Sequence, residues 1–451
     1  MRWFSIVLLA VPLLIFFYKV FFLGQNFFEN DITHIHYPQY LYTIRSIREG
    51  RIPFWNSLSR YGVPHIADPQ AQFFFPIWVG GLFFPPDRYF QWMIFASLLF
   101  GGLGCFFWIR SLTGSPFAGL FCGIVFELQG FVLARIFYTA MLWTIAFIPW
   151  VFWSGHKYVT HPSTKNRLLF LSLWVLQFFS GHTQIWAISS MFLLGYLVLR
   201  GGLPGAKRLF WDSLFFVGFT AIQWIPTREL VQSSLRWDAP GALLTIPSAV
   251  PGWHTIWFFF VPYPGGRRSP SEDAAYVGWM TFSLVLTGLF LRKKSPGRVE
   301  KVLIWLLVLD LLFSLGPNFS LNFWQKVVYP FSHFLHPTRF LVMSSFFLIT
   351  LAGIFLHTLK WDKNFPLMIA FITTAVAELL WWNWGYAFTT GRAYFREKPE
   401  FVLLLGDEAK NPLYRVEYLV PPLRYAPYFA SEGDEILPTP VSHTFVSIQY
   451  Q

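Results

Sequence analysis

WFSIVLLAVPLLIFFYKVFFL, residues 3–23, is followed after a short gap by NDITHIHYPQY, residues 30–40, and the reading of this pair decides the fold. The first stretch is about 20 residues with Lys19 as its one charge, and at roughly 1.5 Å per residue it crosses a hydrocarbon core of about 30 Å. It is read as a membrane span, not a signal peptide, because no convincing small-residue cleavage site follows Leu23. Asp31 then falls just beyond a membrane face. A carboxylate there is hydrated enough to ionise and close enough to meet a substrate whose tail stays in lipid. With His34 and His36 beside it, the stretch gathers groups that move protons in otherwise apolar surroundings, and it is expected to be the active-site loop of a membrane enzyme.

Outward from this loop the chain stays apolar. Hydrophobic residues are 55% of the 451 and charged residues 13%, and apolar runs near spanning length recur, so a multi-pass membrane protein is expected. The 22 Trp suit helix ends among lipid headgroups. A net charge of +11 on a soluble chain would raise nucleic-acid binding, but Lys and Arg here fall in short loops between spans, so topology explains the charge and no nucleic acid is expected. Cys105 and Cys122 lie within expected spans and read as small buried hydrophobes.

Spans are expected near 3–23, 90–109, 116–134, 138–155, 168–181, 184–199, 209–225, 274–291, 302–315, 339–358 and 365–385. With the N-terminus inside, the cytoplasmic loops carry Arg110; Lys157, Lys165 and Arg167; Arg200, Lys207 and Arg208; Arg292 to Lys301; then Lys360 and Lys363, a positive-inside pattern. About eleven spans put the C-terminus outside, with the long loops 24–89, 226–273 and 316–338. The expected fold is thus an all-α polytopic membrane protein, with a transmembrane domain over 1–390 and a short external segment over 391–451. Runs such as Phe401–Leu405 and Tyr414–Tyr418 suggest a small α/β piece in that segment.

The first outer loop is broken by Gly50, Pro53, Gly62, Pro64, Pro69, Pro76, Pro85 and Pro86, which predicts folded structure. A helix over 31–49, capped by Asn30 or Asp31 and stopped at Gly50, stacks Asp31, His34 and Pro38 along one face, with a kink expected at Pro38.

Sugar transfer to a hydroxyl requires a base for the acceptor proton and a cationic or donor-rich site for a departing phosphate. Asp31 can supply the first, against the alternative of a helix cap. His34 and His36 can shuttle the proton or hold phosphate, against structural hydrogen bonding. Asp68 is a second carboxylate in the same loop, although Asp before Pro commonly starts a turn. Glu127 lies within the third span and Arg135 at its outer end, two turns apart; they either pair along one helix or line a substrate cavity. His182 and Gln184 sit at an outer turn, and Arg339 enters a span from outside, where its forked donors suit a phosphate. No Walker loop, nucleophile elbow or zinc spacing is found, and neither a cofactor nor a metal is expected.

The succession of Asp31 after the first span, Gln39-Tyr40, Arg48-Glu49-Gly50-Arg51-Ile52-Pro53-Phe54-Trp55-Asn56, Tyr61-Gly62-Val63-Pro64 and Ala67-Asp68-Pro69-Gln70 resembles the YfhO family of bacterial multi-pass proteins, which is similar to GT-C glycosyltransferases. Ser180-Gly181-His182-Thr183-Gln184, Tyr276-Val277-Gly278-Trp279, Leu315-Gly316-Pro317 and Tyr329-Pro330 through His336-Pro337-Thr338-Arg339-Phe340 extend the likeness. The resemblance implies a GT-C-like fold that transfers a sugar from a polyprenyl-phosphate donor to an envelope glycan or glycolipid acceptor, at the outer face of the cytoplasmic membrane. Asp31 takes the place of the family's catalytic acidic residue, and His34 and Asp68 are the other expected catalytic groups. His36, Gln39, Glu127, Arg135, His182, Gln184 and Arg339 are the expected substrate contacts. The chain departs from that pattern at its C-terminus, where similar proteins are longer, so it reads as a short member or a truncated copy. A transporter or flippase of a lipid-linked sugar, or a silent glycolipid-binding scaffold, remains the alternative; a transporter site belongs near the midplane between repeats, whereas these candidates cluster at the outer face.

Overall fold

A backbone in lipid must satisfy its own N–H and C=O groups, and a chain this apolar answers with helices. The computed structural model describes residues 2–28, 31–57, 59, 62–234, 259, 274–290, 295–315, 336–359 and 364–391. Among them, five helical stretches are long and apolar enough to cross a membrane: Pro86–Thr113, Pro116–Leu133, Thr183–Gln232, Pro337–Thr358 and Phe365–Tyr386. The protein is mostly helical, and these helices point to a multi-pass membrane protein. The tail expected to hold a small α/β piece lies outside the described residues, as do Asn30, Tyr61, most of the loops at 226–273 and 316–338, and the basic residues Arg292, Lys293, Lys294, Lys360 and Lys363.

The first apolar stretch is not one uninterrupted helix. Arg2–Phe16 contains Pro12, and a single turn, Tyr18–Phe21, follows it. Gly24, at φ +70°, then turns the chain into Asn26–Phe27, which pairs antiparallel with Thr389–Thr390. This small ladder holds the entry to the first loop beside the residues that follow the last apolar helix, so both lie on one side of the bundle.

Small residues set the closest helix approach. A Cβ on Gly102 would meet Glu127 Oε1 at 1.9 Å, and one on Gly123 would meet the Gly102 carbonyl oxygen at 2.8 Å, so Pro86–Thr113 and Pro116–Leu128 pack nearly backbone to backbone. Deeper in the bundle Trp108 is fully buried among Phe152, Tyr196 and Phe346, and its Nε1 donates to Thr350 Oγ1 at 3.1 Å. Burial of the indole is tolerated because its one donor has that partner.

The expected third span, 116–134, is broken. Its helix ends at Leu128, Gln129 is extended at φ −64° and ψ 151°, and a short turn Gly130–Leu133 resumes. Distant segments take up the freed backbone groups: Gly130 N–H donates to the Tyr276 carbonyl at 2.8 Å, and Asn383 Nδ2 to the Leu128 carbonyl at 2.8 Å. The break corrects the expectation that Glu127 and Arg135 share one continuous helix face and pair there. Arg135 Nη1 instead donates to the Phe131 carbonyl at 2.9 Å, with its guanidinium 3.5 Å from the Phe131 ring centre. The Glu127 carboxylate is fully buried against Gly102, and neither oxygen has a hydrogen-bond partner among the described residues.

The stretches expected near 184–199 and 209–225 are two helices within Thr183–Gln232, separated at Gly202, whose φ +61° and ψ −164° are not helical. The stretch near 168–181 is extended at its start by a Ser163 cap, giving Thr164–Phe179. Near 274–291 the helix begins only at Trp279, because Gly278 at φ +92° turns the chain there.

Candidate functional site

The loop helix forms much as the sequence predicts. A wide π-helical turn, Ile32–His36, leads into the α-helix Tyr37–Arg48, and Gly50 at φ +71° follows its end, where the Arg51 N–H bonds back to the Ser46 carbonyl at 2.8 Å. Pro38 has no N–H to continue the α pattern, and the turn before it is widened, closed by Tyr37 N–H to the Ile32 carbonyl. Asp31, His34 and Pro38 keep an outward face, while Ile32, His36 and Tyr40 are buried on the other side.

Asp31 is not used as a cap. Its backbone is already helical at φ −65° and ψ −19°, and its side chain makes no capping bond. It is partly buried, and desolvation raises its pKa above the ordinary carboxylate value, while the nearby charges of His34 and Arg339 pull it back down. The sign of that balance makes Asp31 a stronger proton acceptor than a free aspartate, still held within reach of a cation.

Arg339 lies in a 3-10 turn, Pro337–Phe340, at the start of the Leu341–Thr358 helix. Its Nη1 donates to Gln184 Oε1 at 2.9 Å and sits 3.4 Å from His182 Nε2. Gln184 Nε2 in turn donates to the His336 carbonyl at 3.1 Å, which closes the two turns onto each other. His182 caps its helix by accepting the Ile185 N–H at Nδ1, 3.2 Å away. A guanidinium only donates, so Arg339 Nη1 and the Ile185 N–H both call on the His182 ring as acceptor, and a neutral imidazole has one acceptor nitrogen to share between them. The planar, always-charged fork of the Arg339 guanidinium is of the kind that suits an oxyanion.

Asp68 serves the turn that its neighbour Pro69 predicts. Its Oδ1 accepts the Gln70 N–H at 2.9 Å and its Oδ2 accepts Gln39 Nε2 at 2.8 Å. The same turn is pressed against the His182 turn: Gly181, at φ +105°, lies where a Cβ would meet the Pro69 carbonyl oxygen at 2.3 Å, and Gln72 Nε2 donates to the Ser180 carbonyl at 2.7 Å. Asp68 therefore shapes the wall behind His182 and orients Gln39.

Of the residues singled out from the sequence, Asp31, His34, His182, Gln184 and Arg339 come together, and Gln39 and Asp68 form a bonded pair beside them. His36 is buried behind the loop helix. Burial lowers its pKa to about 4, so the ring is neutral. Glu127 lies apart in the bundle, against Gly102. Sequence reasoning missed Glu378, which accepts from the Tyr276 hydroxyl and the Trp279 N–H and so clamps the turn at Gly278 to the last apolar helix. An acidic residue inside the expected span 365–385 was the available signal.

No known protein family, curated protein or solved structure matches the chain.

Proposed function

We propose that the chain is a GT-C-like membrane glycosyltransferase, with about eleven spans and its first loop and C-terminus outside. It moves a sugar from a polyprenyl-phosphate carrier to a glycan or glycolipid hydroxyl at the outer face of the cytoplasmic membrane. The single observation that carries this reading is that a carboxylate whose pKa is raised by burial, Asp31, feels the charge of Arg339, a guanidinium held by His182 and Gln184, so that three separate parts of the chain contribute. In the proposed step the acceptor oxygen bonds to the anomeric carbon as the bond from that carbon to the carrier phosphate oxygen breaks. The electron pair leaves with the phosphate, which Arg339 stabilises, and the hydroxyl proton passes to Asp31 directly or through His34. Gln184 positions Arg339 through its 2.9 Å bond.

The test is sugar transfer from a polyprenyl-phosphate-linked donor in membranes carrying the intact chain or Asp31→Asn. Loss of a general base typically costs about 10² to 10⁴ in rate. Because Asp31 makes no capping bond, the variant is expected to fold. Wild-type activity is expected to decline on the acid side, beginning above the usual aspartate range because the pKa of Asp31 is raised. Transfer by folded Asp31→Asn at the wild-type rate would assign the proton elsewhere.

One observation favours a second reading, transport of the lipid-linked sugar. Glu127 holds an unpartnered carboxylate at bundle depth, among the described residues, and such groups commonly mark pathways. A flipping assay in sealed vesicles separates the two, since transport without transfer, lost in Glu127→Gln, would replace the enzyme reading.

A further inference from the structure

The helix that begins at Thr183 beside the Arg339 turn stops at Gly202, and Arg200, in its last turn, lies about 27 Å along it from His182 at 1.5 Å per residue. Arg200 therefore stands at the opposite end of the bundle from Asp31. Its guanidinium lies beside the Tyr196 hydroxyl, which also bonds His156 Nδ1 at 2.8 Å. A second guanidinium joins from the helix Arg298–Ser314, where Arg298 Nη2 donates to the Leu199 carbonyl at 2.9 Å. Cations at a helix C-terminus ordinarily satisfy its last carbonyls. Arg298 meets that need, whereas Arg200 Nε is buried with no hydrogen-bond partner among the described residues.

No carboxylate among the described residues balances this group. The charges acting on His156 are those of Arg200 and His161, and the charge acting on Tyr196 is that of Arg200. Two acids lie at this end of the bundle among the described residues, and both are engaged elsewhere. Asp212 accepts from the Tyr158 hydroxyl at 2.6 Å and from Arg167 Nε at 2.7 Å, and Glu300 accepts the Gly297 N–H. Two guanidiniums brought together without a counter-charge repel each other, and the several acceptor oxygens of a phosphate suit both forks and the hydroxyl. The surroundings select its source. The same two helices carry exposed apolar side chains, Leu199 at 48% and Trp305 at 72%, and they pack closely, since a Cβ on Gly195 would touch Leu306 Cδ2 at 3.7 Å. Cations at the end of an exposed apolar surface match an amphipathic molecule, with its headgroup at the arginines and its chains along the helices.

We propose that Arg200 and Arg298, with the Tyr196 hydroxyl, bind the phosphate of an anionic phospholipid in the leaflet opposite the Asp31 loop. A zwitterionic lipid carries its own cation beside the phosphate and leaves the arginine pair uncompensated, so the site selects net negative charge. Such a site requires only that the chain lie in a membrane; it is independent of the transferase reading.

The test titrates the full chain in detergent micelles with phosphatidylglycerol or phosphatidylcholine of the same acyl chains and counts bound lipid by native mass spectrometry. Phosphatidylglycerol is expected to bind more tightly by about tenfold. Arg200→Gln and Arg298→Gln are each expected to weaken it by about fivefold, the scale of one basic side chain at an anionic membrane surface, and to leave phosphatidylcholine unchanged. Tyr196→Phe alters no formal charge and is expected to weaken phosphatidylglycerol as well. Should Arg200→Gln fail to fold, Arg298→Gln, at an exposed position, carries the same test. Lys165→Gln removes another exposed charge from this end of the bundle and is expected to leave the affinity unchanged. A loss there equal to that in the arginine variants would mean diffuse attraction to a basic surface and would overturn the site. Glycerol 1-phosphate, the same phosphate ester without chains, is expected not to displace the lipid; displacement would assign the arginines to a soluble phosphate and overturn the lipid proposal. Equal binding of the two lipids, or phosphatidylglycerol binding unchanged in the folded arginine variants, overturns it too.

Discussion

Arg339 Nη1 donates to Gln184 Oε1 at 2.9 Å across 155 residues of sequence. This bond ties the turn that starts the Leu341–Thr358 helix to the turn that starts Thr183–Gln232. The charge of this guanidinium acts on Asp31 and lowers its pKa against the effect of burial.

Arg339→Ala is expected to raise the KM for a phosphate-linked donor by tenfold or more, as a charge-assisted contact of about 1.5–3 kcal/mol is lost. Arg339→Lys keeps the charge without the planar fork and is expected to recover only part of it. Donor titration of folded protein measures both, and unchanged affinity and turnover in the alanine variant would remove the phosphate-clamp role.

Burial holds His36 and His65 neutral, with each pKa lowered to about 4. The unfolded chain protonates these rings near pH 6.5, so between about pH 6.5 and 4 it binds more protons than the folded one. Their contribution to stability is complete above that window and falls as pH drops through it, by about 1.4 kcal/mol per pH unit for each ring. Thermal unfolding of purified protein across about pH 7 to 4.5 is expected to show the loss, reduced in His36→Gln with His65→Gln. The bond between His65 Nε2 and Thr43 Oγ1 at 2.8 Å makes the glutamine variant a fair replacement. A melting temperature independent of pH over that range would contradict the burial of both rings.

Gly181 and Gly114 both adopt positive φ, +105° and +76°, but only at Gly181 would a Cβ collide with backbone, the Pro69 carbonyl oxygen at 2.3 Å; nothing lies within 4 Å at Gly114. Gly114→Ala is expected to cost about 1 kcal/mol from backbone strain, and Gly181→Ala about 1–3 kcal/mol more as the Pro69 turn is pushed away. The second change also displaces His182, so donor use is expected to fall with it. Paired melting and kinetic measurements decide, and equal effects of the two substitutions would mean that the turns are not in contact.

Topology is open to cysteine labelling, since Cys105 and Cys122 are buried and leave little background. A cysteine placed at Ser57 is expected to react with an impermeant reagent in intact cells, and one at Ser295 only after the membrane is opened. The reverse pattern would put the Asp31 loop on the cytoplasmic side and sink the outer-face assignment.

The sequence by itself determined the class of molecule and the local shape of its first loop. Apolar run length and charge placement are properties of contiguous residues, and lipid enforces helices on such runs. The helix that ends before Gly50 and the turn at Asp68-Pro69 were legible for the same reason, because capping and φ constraints act within a few residues. Only the tertiary structure decided which candidates meet. Periodicity placed Glu127 and Arg135 on one helix face, but the helix breaks at Gln129, where Tyr276 and Asn383, remote in sequence, accept and donate the freed backbone bonds. The pair His182 and Gln184 and the distant Arg339 were separate candidates at two points of the chain until two turns closed on one another through a side-chain amide. Contacts between residues so far apart leave no local pattern to read, because they arise from the packing of whole helices.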